Sequence, residues 1–64
     1  SPALLLDAPE EGETVRLVVA AMTYEPGRRI ACRVLGTSLG LEPVELVERG
    51  VEFDLVRYRV LEQV

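Results

Sequence analysis

The sequence predicts a small α+β domain, a curled antiparallel sheet with one helix in the order strand-strand-helix-strand-strand. Three observations carry this. Gly and Pro break the chain at 7–12, 23–27, 40–43 and 49–50, leaving short segments between turns. One of those segments alternates with a period of two, as half-buried strands do, another is apolar on both strand faces, and one carries an apolar stripe at helical spacing. The 64 residues form a single domain, 1–64, since independent domains rarely fall much below ~50 residues.

The first segment, residues 3–6 (Ala-Leu-Leu-Leu), fits a short buried strand. The second, 13–22, places Val15, Leu17, Val19 and Ala21 on one face and Arg16, Val18, Ala20 and Met22 on the other. Beyond Arg16 both faces are apolar. Such a strand is central, or something outside the chain covers one face.

The third segment admits two readings. Ile30, Ala31, Val34, Leu35, Ser38 and Leu39 fall on one helical stripe, opposite Arg29, Cys32, Arg33, Gly36, Thr37 and Gly40. This spacing predicts a helix over 28–39, with Gly40 suited to the left-handed position past its end. The competing reading takes Glu25-Pro26-Gly27-Arg28 as a type II turn leading into a hairpin strand over 28–35. The helix is the expectation adopted. The fourth segment, 44–48, is a short strand or a helical turn. In the fifth, 51–61, Val51, Phe53 and Leu55 alternate with Glu52 and Asp54, then Val56, Tyr58 and Val60 with Arg57 and Arg59. The adjacent pair Leu55-Val56 shifts the phase, and a β-bulge there keeps every apolar side chain on one side. The bend it introduces predicts a curled sheet or small barrel.

Composition removes most chemistry. The chain has no His and no Lys, so the usual general base near neutral pH and the Schiff-base nucleophile are both missing. Cys32 is the only thiol, which excludes an internal disulfide, a CxxC pair or a cysteine zinc site. It reads as a small apolar residue. No catalytic residue is assigned, and the chain is expected not to be an enzyme. Asp7, Glu10, Glu11 and Glu13 gather in one turn, but not at the spacing of a calcium loop; they read as a solvated turn, and no metal or cofactor is expected. An all-Arg basic set with a single Gln and no Asn fits a GC-rich, thermophilic bacterium.

Partners are bounded by charge and by the apolar strand. A net charge of −4 and no broad basic stripe argue against nucleic acid. A small anion is the ligand that Arg28, Arg29 and Arg33 favour, at the start of the expected helix. No apolar run approaches the ~18–20 residues of a membrane span, and the first residues lack a basic leader, so a cytoplasmic location without membrane insertion is expected. Val18, Ala20 and Met22 are the expected interface. A homo-oligomer is the economical cover for that face, with a different protein partner as the alternative.

Taken in order, the segments resemble the ferrous-iron transport protein A family, small domains with an SH3-like barrel. Leu5-Leu6-Asp7-Ala8-Pro9-Glu10-Glu11-Gly12-Glu13 resembles that family's opening strand and turn. The stretch from Arg29 through Leu39-Gly40-Leu41-Glu42-Pro43 is similar to its short helix and the Leu-Gly-Leu-x-Pro that ends it. Val44 stands where that family's usual Gly follows the Pro. The resemblance implies an accessory or regulatory role in a ferrous-iron transport system.

Overall fold

The computed structural model describes residues 7–64; the strand expected at 3–6 lies outside the described residues. Four strands follow: β1 (Thr14–Ala20), β2 (Ile30–Val34), β3 (Thr37–Glu48) and β4 (Phe53–Gln63). They form one antiparallel sheet in the order β1-β4-β3-β2, a Greek-key arrangement in which a long connection carries β1 to the opposite edge from β2. The sheet curls into an open half-barrel, with its core on the concave side.

The expected α+β class is overturned, because the described residues contain no helix. Residues 28–39, read as helical here and in the resemblance, form β2, a turn and the start of β3. The competing turn reading describes this stretch: Arg28 N–H donates to the Glu25 carbonyl at 3.0 Å, closing the turn at Pro26-Gly27. β2 then runs into a two-residue hairpin at Leu35-Gly36, flanked by the Val34–Thr37 pair. Both turn residues have positive φ, 51° and 78°, as a type I′ hairpin requires. The expected strand 44–48 is only the second half of β3.

The core follows from alternation. Val56, Tyr58 and Val60 of β4 and Leu39 and Leu41 of β3 are fully buried. Val15, Leu17 and Val19 of β1 and Ile30, Cys32 and Val34 of β2 pack beside them, half-buried, with Leu46 and Tyr24. Burial therefore fades from the central strands toward both edges. Each fully buried side chain of this size stabilises the fold by about 1.5–3 kcal/mol, so five of them make a modest core for one layer.

The bulge expected at Leu55-Val56 does not occur on β4. β1 and β4 pair without interruption from Thr14–Arg59 to Ala20–Phe53. The register shifts lie between β3 and β4, where Val44 and Val47 are extra residues on β3 and Leu61 is extra on β4. β4 keeps its phase through Leu55-Val56, which puts Asp54 inside, 1% exposed, and Phe53 outside. The Asp54 carboxylate accepts the N–H of Gly50 at 3.0 Å and of Met22 at 3.3 Å. A Cβ on Gly50 would lie 2.2 Å from the Phe53 carbonyl oxygen, so the chain can pass there only as glycine.

Two stability predictions follow by urea unfolding. Gly36→Ala forces an alanine into the left-handed region and destabilises by about 1 kcal/mol, whereas Leu35→Asn relieves the same strain and stabilises by about 0.5–1 kcal/mol; a helix over 28–39 would give the opposite sign for Gly36→Ala. Asp54→Ala strands two backbone donors and costs about 3 kcal/mol, while Phe53→Ala, one residue away but exposed, costs under about 1 kcal/mol.

Candidate functional site

The convex face divides into an apolar end and a charged belt. Directly paired residues of antiparallel strands point to the same side, so the β1–β4 register sets Val18 beside Leu55 and Ala20 beside Phe53 on the outer face. Val18 is 69% and Phe53 59% exposed. Val47 of β3, at the register shift opposite Leu55, is also exposed. Met22 and Val51, both exposed, sit in turns at the same end of the sheet, where Ala21 N–H donates to the Glu52 carbonyl. Scattered exposed apolar residues are ordinary, whereas several on adjacent strands form the kind of patch that marks a contact surface.

Toward the other end the face is ionic. Arg57 contacts Glu45 at 2.9 Å and Arg59 approaches Glu42 at 3.6 Å. Both are cross-strand pairs. The extra residue Val44 brings Glu42 and Glu45, three apart in sequence, to the same side. Exposed pairs of this kind add about 0–1 kcal/mol each. Their consequence here is to bound the apolar end with polar groups.

Of the expected interface residues, Val18 and Ala20 lie in the patch as strand residues. Met22 does not continue the strand: β1 ends at Ala20, and Met22 turns with φ 69°, its N–H directed to Asp54. Phe53, Leu55 and Val47 were not singled out from sequence. The signal for the first two was the Leu55-Val56 phase shift, which can be met by turning Asp54 inward as well as by a bulge.

The three arginines considered for an anion do not share a helix N-terminus, because residues 28–39 form strand and turn instead of a helix. Arg28 sits in the turn, its guanidinium 3.9 Å from Glu25. Arg29 and Arg33 flank Ala31 on the outer side of β2, all three exposed. Arg29 lines a shallow groove of about 570 Å³ with Ile30, Ala31, Gly40, Leu41, Leu61 and Glu62. The Glu62 carboxylate in the same groove offsets the positive field. In the acidic turn, Glu13 accepts the Glu10 N–H at 2.6 Å, and the Glu13 N–H donates to the Glu10 carbonyl at 3.0 Å. Among the described residues no group of three acidic or cysteine side chains converges as metal ligands would.

On the concave side, Cys32 is half-buried and free. Burial raises the Tyr58 phenol above its ordinary value near 10, and the nearby Cys32 thiol adds to the rise. The phenol stays neutral near pH 7, buried among the core residues. No helix among the described residues is long and apolar enough to cross a membrane. No protein family, curated protein or solved structure matches the chain.

Proposed function

We propose that this protein is a non-catalytic module that acts by self-association, with the outer apolar end of the sheet as its contact surface. The observation that carries the reading is the pairing of Val18 with Leu55 and Ala20 with Phe53 on the outer face of a single-layer sheet. No second layer of the described chain covers them. A side chain such as Val18 or Phe53 gains about 1.5–3 kcal/mol on full burial, a large increment for a domain whose net stability is in the range of about 5–15 kcal/mol or below. A second copy brings the same surface to the contact and so satisfies both partners at once.

The half-buried free thiol of Cys32 suits a reducing compartment, and we place the protein in the cytoplasm on that ground. Sedimentation equilibrium at micromolar concentration is expected to show a dimer or larger species. Phe53→Glu should weaken the association at least tenfold with the far-ultraviolet circular dichroism unchanged. A monomeric wild type would direct attention to a different protein partner, the accessory role in ferrous-iron transport that the resemblance implies.

A further inference from the structure

We propose that the free edge of β1 pairs antiparallel with β1 of a second copy about a two-fold axis at Leu17, joining two sheets into one of eight strands. The proposal rests on the self-association reading for its occupant, a second copy; this contact runs along the β1 edge and leaves Phe53 and Leu55 of β4 to a separate contact between outer faces.

Three stretches of strand edge five or more residues long lack a neighbouring strand among the described residues, and two of them are guarded. The free edge of β3 beyond Leu41 carries Pro43, the extra residues Val44 and Val47, and Glu42, Glu45 and Glu48. β2 is five residues long, with Arg33 within it and Arg29 just before it. Short length, proline, bulges and charge are the ordinary means of keeping a free edge from pairing with other chains. β1 has none of the first three: seven residues, TVRLVVA, in unbroken register with β4 and with one charge.

The hydrogen-bond phase of that edge is set by the ladder on its other side. The Glu13 carbonyl accepts from Val60 N–H, and Ala21 N–H donates to Glu52. Backbone groups alternate sides along a strand, so residues 13, 15, 17, 19 and 21 face β4. The N–H and C=O groups of Thr14, Arg16, Val18 and Ala20 therefore face outward. Among the described residues one of these eight is engaged, the Ala20 carbonyl, which accepts the Thr23 hydroxyl at 2.6 Å; a carbonyl has a second lone pair to offer.

Two independent requirements select one register. Full overlap of Thr14–Ala20 with itself is centred on Leu17, which sets Arg16 against the partner's Val18 and Thr14 against the partner's Ala20 as hydrogen-bonded pairs. The same register keeps Arg16 from facing its own copy, which a register centred on Arg16 would force at a cost. It also lays the Arg16 stem along the partner's Val18. On the concave side it sets Leu17 against the partner's Leu17 and Val15 against the partner's Val19. These are the side chains that the edge leaves half-buried in one copy.

Disulfide trapping in a Cys32→Ser background tests the register. Hydrogen-bonded partners lie about 5.5 Å apart at Cα, within reach of a disulfide, whereas Arg16 and the partner's Arg16 would be about 9 Å apart, beyond it. A mixture of the Arg16→Cys and Val18→Cys proteins should yield a covalent dimer joining one of each, and neither protein alone should cross-link. Thr14→Cys mixed with Ala20→Cys, the outer pair of the same register, should behave alike. Either Arg16→Cys or Val18→Cys cross-linking with itself would overturn the register. An assembled protein that traps in no mixture would overturn the edge pairing and leave self-association standing, while a wild type that is monomeric throughout would overturn both. Val18→Pro removes an N–H only from the free edge and should dissociate the dimer with the fold intact; a retained dimer or an unfolded chain would contradict the proposal.

Discussion

Among the described residues Asp54 is the one buried charged side chain, and its two oxygens hold backbone N–H groups from both turns at one end of the sheet. Gly50 precedes β4 in the turn from β3, and Met22 follows β1. A buried carboxylate left without donors would cost several kcal/mol, so this end of the fold forms only when both turns close on Asp54. Side chains on β4 alternate, so the burial of Asp54 also fixes the phase of its neighbours. Val56, Tyr58 and Val60 go inward to the core, and Phe53 and Leu55 are turned out.

The outward turn of two large apolar side chains is a cost of that arrangement, and its position matters. They emerge beside Ala20 and Val18 on β1, the strand whose other edge is unguarded. The opposite side of the sheet is treated differently, with proline, extra residues and glutamates along the free part of β3. Apolar surface and open backbone thus coincide on one strand. A single curled layer with half-buried edges has room to gain from a neighbour. The concave residues Val15, Leu17 and Val19 gain from the same contact that satisfies the edge.

The strand reading of residues 13–22 and 51–61 made β1 and β4 legible in the sequence to within two residues at each end. The stretch between them misled for a physical reason. A two-residue hairpin returns the chain so that Ile30, Val34 and Leu39 all face the core, and this spacing imitates a helical stripe. Leu35 hides the turn, since a leucine at positive φ is not the Asn-Gly that would announce it. The turn chemistry of Pro26-Gly27 was visible and described the local structure correctly. In the candidate site, Val18 and Ala20 stood out because both faces of their strand are apolar. Phe53 and Leu55 did not, because a bulge on β4 was the simpler way to keep them inside; the extra residues lie on β3 and at Leu61 instead, and nothing in the identities of Val44 or Val47 marks them.

The most direct test of β1 as a contact strand is amide hydrogen exchange followed by nuclear magnetic resonance over a range of protein concentrations. In an isolated chain the amides of Val15, Leu17 and Val19 are held by β4, while those of Arg16 and Val18 face solvent and exchange quickly. Pairing of two copies predicts that the Arg16 and Val18 amides become protected to a degree comparable with Leu17 as concentration rises, and lose that protection on dilution. Alternating protection that persists at every concentration, or protection of Arg16 and Val18 that does not depend on concentration, would contradict it.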